Sequence, residues 1–459
     1  MTTLDIPRGP ALNALAAACV ALGVFAVASR GGTIALAATA AAVLGMAAYL
    51  ADQRTQAAVG AGIAAVVLLP IYWGRPLVGL AIVAVPATAA AMVLALPALR
   101  TLTAVRWGLL DLAYLGYVLF LAMAAYLNTT SGTGAAAGIV WRYAFPYVVW
   151  RALAPRAPRW VTVARILVAT GTAMGIFALV ERATSSNWYF TAAPVGYQRE
   201  LAVSLTRFGG IRAEASFGEP ITFGMFLGLC LVLALTLAVA SGRRAERLLA
   251  LPVVGVLASA ILASGSRAAL AVTGAGVAIQ LLRFVNRAYL KRFFVVAAVA
   301  VFALLSTGFL DEVQGRLETL QGTRSREARS AQYRFQVVDV LTDTSQWTLL
   351  GQQPEEGAVG VGQLARENSG LKSLDNQYAF LLVTGGLLSL GAFLLVGILV
   401  FKEALTSKSR DIFERAVTSG IASLYVGFTV VALLTQLSDL FALLVALLAG
   451  ARQTRRLRA

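Results

Sequence analysis

Polar positions in this chain fall in short bursts, and apolar positions fall in runs of roughly 18–22 residues. That is the length an α-helix needs to cross the hydrocarbon core of a bilayer. The runs predict about 14 spans, at 11–28, 32–51, 57–73, 77–97, 108–127, 134–150, 160–180, 218–240, 248–264, 268–282, 293–308, 376–401, 416–435 and 439–451. The last two also read as one hairpin and two of the early runs are weak. The expected fold is therefore an all-α polytopic membrane protein of about 12–14 transmembrane helices. The N-terminus, "MTTLDIPRGPALNALAAACVALGVF", has no small-residue cleavage site followed by soluble sequence, so it reads as the first span.

Two longer polar stretches, 181–217 and 309–375, interrupt the apolar pattern. In the second, Phe335, Val338 and Leu341 repeat at helical spacing and predict an amphipathic helix, whereas "GQQPEEGAVGVGQL" reads as loop. There is no internal repeat and no separate soluble domain, so residues 1–459 are expected to form one integral membrane domain.

Composition narrows the chemistry. Charged residues are 13% of the chain against 59% hydrophobic, with a mean hydropathy of +0.76. Ordinary soluble domains carry about twice that charged fraction. Histidine is absent, which removes the commonest general base and metal ligand. Cys19 and Cys230 both lie inside apolar runs and suit neither a disulfide nor a metal site. Acid–base work falls to Asp, Glu, Lys or Tyr.

The net charge of +16 sorts by loop parity. One side collects Arg8, Arg54, Arg100, Arg106, Arg151, Arg156, Arg159, the 243–247 and 283–292 clusters, Lys402 to Arg415 and the tail "ARQTRRLRA". The short loops of opposite parity carry only Arg30, Arg75 and Arg267. The positive-inside rule then puts both termini in the cytoplasm and both long polar stretches outside. It accounts for much of the basic charge without a nucleic-acid partner.

Long loops escape that rule, so their arginines need another reason. In "LTRFGGIRAEASFGEPITFGMF", Arg207, Arg212, Glu214 and Glu219 crowd the start of a span, and Pro220 suits its first turn. In "LASGSRAALAV", Ser264, Gly265, Ser266 and Arg267 form a tight outer turn. A helix N-terminus and a guanidinium there suit a phosphate. Arg324, Arg326, Arg329 and Arg334 follow in the second stretch. The ordinary alternative in each case is a charge snorkelling to lipid headgroups or paired with a nearby glutamate. Converging arginines at a membrane surface match a lipid-linked diphosphate. No P-loop or dinucleotide fingerprint is present.

The order of four segments resembles the O-antigen ligase/polymerase family of bacterial membrane glycosyltransferases. They are "RAEASFGEPITFG", "SGSRAAL", "YRFQVVDVLTDTSQWTLLGQQ" and "DNQYAFLLVTGGLLSLGAF", within residues 207–401. The resemblance implies a GT-C-like membrane fold that transfers glycan from an undecaprenyl-diphosphate carrier on the outer face of the bacterial cytoplasmic membrane. It implies no metal and no cofactor. The implied partners are membrane lipids, the lipid-linked glycan and other polysaccharide assembly proteins. The diphosphate-holding role falls on Arg212 and Arg267, with Arg334 as a further member. Arg207, eleven residues before Gly218, fits a spacing of the polymerases. Family ligases often carry His-Asn where this chain has Asp375-Asn376. That departure, together with the Glu219-Pro220 pair, favours polymerase over ligase.

On this reading Arg212 and Arg267 clamp the departing diphosphate while Asp375 deprotonates the acceptor hydroxyl. Glu219 is the second candidate base, and Asn376 orients acceptor or carboxylate by hydrogen bonding. The alternative for Asp375 is a helix N-cap. Two other classes stand beside this one. A transporter of lipid-linked glycan would place charges and broken helices near the midplane, where Arg142 and Glu181 are the ambiguous residues. A structural membrane protein leaves the outer arginines unexplained.

Overall fold

A computed structural model of the protein describes residues 54–68, 75–76, 83–84, 105–129, 132–153, 159–187, 189, 206–207, 210–282, 344, 347–351, 376–406, 411–429 and 435–458. Helices dominate: α1 (Arg54–Leu68), α2 (Leu109–Asn128), α3 (Gly132–Ile139), α4 (Phe145–Leu153), α5 (Trp160–Thr184), α6 (Pro220–Ala240), α7 (Arg244–Ser264), α8 (Arg267–Leu281), α9 (Gln377–Thr406), α10 (Ile412–Gly427) and α11 (Thr435–Arg458). Six of them, α2, α5, α6, α7, α9 and α11, are long and apolar enough to cross a membrane among the described residues. The spans expected at 11–28, 32–51 and 293–308, and the amphipathic helix around Phe335 to Leu341, lie outside those residues.

The bundle is organised around α6. Its sequence is apolar on every face, and a helix of that kind is stable only when surrounded. It contacts α5, α7, α8, α10 and α11, and nearly every residue from Thr222 to Val239 is buried. Between apolar helices in lipid there is little hydrophobic driving force, so close packing of small residues takes its place. Two small-residue pairs four apart do this. Gly171 and Gly175 on α5 face Cys230 and Ala260, and Gly224 and Gly228 on α6 face Ser266 and the Ala269 carbonyl.

Three elements depart from continuous helix. The expected span at 134–150 is split by a π-helical turn, Val140–Ala144, which joins α3 to α4 and presents Arg142. The expected span at 77–97 is corrected near its start, where Arg75–Pro76 (β1) and Val83–Ala84 (β2) pair antiparallel. Proline forces the residue before it into extended geometry and branched Val83 favours it. A second small ladder joins β3 (Thr206–Arg207) to β4 (Gly210–Ile211).

The third departure is in α9. Gly386 has φ 70 and ψ −174, a non-helical conformation open almost only to glycine. The Tyr378 and Phe393 rings lie 6.1 Å apart, although fifteen residues of straight helix would separate their backbones by about 22 Å. The chain therefore folds back at Gly386. The freed amides are satisfied from a distance: Leu387 N–H donates to the Thr348 carbonyl (2.8 Å) and Leu388 N–H to Leu349 (3.2 Å). Asn128, at the end of α2, holds the Leu350 carbonyl at 2.9 Å.

Gly386→Ala should destabilise the protein by about 1–3 kcal/mol from backbone strain alone. A methyl there would also meet the Leu349 and Gly351 backbone. Gly391→Ala, with open space around its Cβ position, should be neutral. Thermal unfolding in detergent would check the pair, and equal midpoints for the two variants would show that the fold does not depend on the break.

Candidate functional site

The residues 211–219, ahead of α6, form a loop whose backbone is held from four directions. The last turn of α5 carries Glu181 and Arg182, and Ser185 at its C-cap turns the chain with φ 54. The Glu181 carboxylate accepts from Ala215 N–H (2.9 Å) and Glu214 N–H (3.3 Å). Arg182 donates to the Ile211 carbonyl at 2.9 Å and Asn187 to the Ala215 carbonyl at 3.2 Å. From α11, Gln436 donates to the Ser216 carbonyl at 2.5 Å, and Ser216 Oγ donates to Val67 of α1 at 2.5 Å. From α7, the Ala263 carbonyl accepts Ala213 N–H at 3.1 Å. Ala215 sits at φ 47, a conformation that costs a non-glycine residue about 1–3 kcal/mol and persists where its surroundings over-determine it.

This scaffold sets the position of Arg212. Its Nε donates to the Ser264 carbonyl at 3.0 Å, which pins the guanidinium beside the turn between α7 and α8. That turn has the form the sequence predicted. Gly265 closes α7 with φ 60, and the Ser266 side chain caps α8 by accepting from Ala269 N–H at 3.3 Å. Arg267 opens α8 and is exposed. Gly224 leaves room for the turn, since a methyl there would strike Ser264 and Ser266. Two of the expected arginines, Arg212 and Arg267, thus belong to one substructure with a capped helix N-terminus.

Glu219 is the N-cap of α6. Its carboxylate oxygens accept from Ile221 N–H (3.0 Å) and Thr222 N–H (2.6 Å), and Pro220 fills the first helical position. Burial raises the Glu219 carboxyl above its ordinary range, against the lowering effect of those amides and of the Arg212 charge. Asn376 is likewise a cap. Its Oδ1 accepts from Tyr378 N–H (2.9 Å) and Ala379 N–H (3.1 Å), and its Nδ2 donates to the Thr429 carbonyl at 2.8 Å. The cap at the start of α9 is therefore made by Asn376, one residue past the Asp375 that the sequence offered. Asp375 and Arg334 lie outside the described residues, and Arg207 is described only as backbone in β3.

Glu181 is the functional group whose role the sequence left unassigned. An ionisable residue inside an apolar run was the available signal. A second such residue is Asp439, buried one turn into α11, whose charge acts on Arg142. The Arg142 guanidinium lies 5.5 Å from the Tyr143 ring centre. No group of three or more metal-ligating side chains occurs among the described residues.

The assembly places two guanidinium groups and the Ser266-capped N-terminus of α8 beside the start of α6, which the Glu219 carboxylate caps. In comparisons with known proteins the chain matches no protein-family model, no curated protein and no solved structure.

Proposed function

We propose that the protein is a membrane glycosyltransferase that polymerises undecaprenyl-diphosphate-linked repeat units on the outer face of the bacterial cytoplasmic membrane. The observation that carries this reading is the hydrogen bond from Arg212 to the Ser264 carbonyl. It joins the loop 211–219 to the turn that begins with Arg267, so two guanidinium groups and the start of α8 serve one end of the bundle. The carbonyl contact holds the Arg212 guanidinium beside the turn, and Arg267, exposed at the start of α8, supplies a second guanidinium there, the pairing that a diphosphate clamp requires. The diphosphate is the leaving group: the acceptor hydroxyl forms the new bond to the anomeric carbon as the carbon–oxygen bond to the diphosphate breaks. Asp375 is the proposed base that takes the hydroxyl proton. Glu219 suits that role less, because both of its oxygens already hold α6 amides. Transfer to a lipid or protein acceptor, as in the ligases, would use the same clamp.

A second reading, transport of the lipid-linked glycan, is favoured by a specific feature. The break at Gly386, the half-buried Arg142 and the buried Asp439 are the kind of interrupted helix and internal charge that transporters use. Purified protein supplied with carrier-linked repeat units separates the two: bond formation in detergent, with no second compartment, requires an enzyme.

Arg212→Ala and Arg267→Ala should each lower polymer formation by roughly 100-fold or more, as loss of one preorganised donor to a charged leaving group does. Asp375→Asn should abolish it while the protein stays folded in the membrane. Cells would accumulate single carrier-linked units; long chains on the carrier would indicate a ligase instead, and an unchanged glycan profile would remove the arginines and Asp375 from the mechanism.

Glu219 gives a separate pH prediction. Because its carboxyl is raised by burial, the folded protein binds that proton more tightly than the unfolded chain. Its contribution to stability is fully present below the ordinary glutamate value of about 4.3. It is lost as pH rises through the raised value. Across that window the wild type should lose thermal stability relative to Glu219→Gln, and parallel melting curves at every pH would show that the carboxyl is not perturbed.

A further inference from the structure

At the end of the bundle opposite Arg212 lies a cavity of about 280 Å³, lined by Arg106, Trp107, Leu109, Arg151, Arg452 and Gln453 among others. That is close to the lower limit for small-molecule pockets, about 300 Å³. It sits at the start of α2, with Trp107, Gly108, Leu109 and Leu110 in its lining. Asp111 at the third helical position accepts from Gly108 N–H at 2.7 Å. Arg151 is fully buried here. Its Nε pairs with Asp111 at 2.6 Å, and its Nη2 donates to Gln453 (2.7 Å) and to the Arg106 carbonyl (2.9 Å). Its Nη1 makes no hydrogen bond among the described residues, nor does Arg452 Nη1. Both groups belong to residues that line the cavity. A buried donor without a partner costs about 1–3 kcal/mol, a cost that an acceptor entering the pocket would recover with a small shift of either side chain.

The charge count favours an anion. Three arginines face one aspartate that Arg151 already engages, and Glu403 is shared between Arg452 and Arg455. The surroundings favour a lipid. Trp107 and Leu109 are exposed at the rim, and Leu112, Leu119 and Met123 continue the same exposed apolar stripe along α2. An aromatic ring at a helix end marks the bilayer interface. We propose that this pocket holds the phosphate of an acidic phospholipid, with its acyl chains lying along the α2 stripe. By the distribution of basic residues this is the cytoplasmic leaflet, where such lipids collect. The proposal is independent of the glycosyltransferase reading.

The test is native mass spectrometry of the full-length protein in detergent with phosphatidylglycerol, phosphatidylcholine or inorganic phosphate added. Phosphatidylglycerol should remain bound when phosphatidylcholine is lost, and it alone should raise the thermal midpoint. Arg106→Gln and Arg452→Gln should each weaken retention about fivefold, whereas Arg244→Gln, exposed on α7 and outside the cavity, should leave it unchanged. Equal retention of the two lipids, an equal loss in Arg244→Gln, or the same stabilisation by inorganic phosphate would each overturn the proposal, the last by showing a free-anion site instead.

Discussion

The candidate site depends on the buried Glu181 carboxylate and the two main-chain amides, of Glu214 and Ala215, that it accepts. The loop 211–219 contains no helix or sheet of its own beyond Ile211, so its amides and carbonyls must be satisfied by side chains. Ala213 to Phe217 are buried in the protein, where no bulk water supplies the missing partners. Glu181 and Arg182 from the last turn of α5, Asn187 just beyond it and Gln436 from α11 take that role. Arg212 can then reach Ser264 because the backbone beneath it has nowhere else to go.

The same constraint explains the interrupted helices. A break inside a membrane helix exposes amides and carbonyls, and these persist only where other protein groups meet them. At Gly386 the partners are Thr348 and Leu349, brought in from the second long polar stretch. The fold thereby couples that stretch to α9 by backbone hydrogen bonds, and α9 to α10 through Asn376, Thr429, Tyr378 and Tyr425. Substitution of the glycine would strain the break and also displace the segment that closes it.

The spans at α2, α5, α6 and α7 were legible because bilayer thickness imposes length and apolarity on consecutive residues, and local sequence records both. The turn at Ser264–Arg267 was legible for a similar reason: glycine at a C-cap and serine at the next N-cap act within four residues. Pro220 after Glu219 likewise announced a helix start, although the carboxylate proved to be its cap. The break at Gly386 was not legible. "VTGGLLSLGAF" reads as continuous apolar helix, and what interrupts it lies nearly forty residues earlier in sequence. The π-helical turn that carries Arg142 has no local signature either. The Asp375-Asn376 pair offered two adjacent side chains with equal capping propensity, and only geometry assigns the cap to Asn376.

The two ends of the bundle use arginine differently. At the end near Arg151, guanidinium groups meet carboxylates: Asp111, Glu246, Glu403 and Glu414. Such pairs hold helix ends together and cancel charge as they do so. At the end near Arg212, Arg182 and Arg212 donate to main-chain carbonyls, while Glu181 and Glu219 accept from main-chain amides. Here each of these charges also holds main chain, in addition to the attraction between Arg212 and Glu219. A neutral carbonyl positions the Arg212 guanidinium, and the low dielectric around it strengthens its attraction to Glu219. The use of backbone partners around the loop 211–219 is therefore what fixes its main chain where no helix or sheet does.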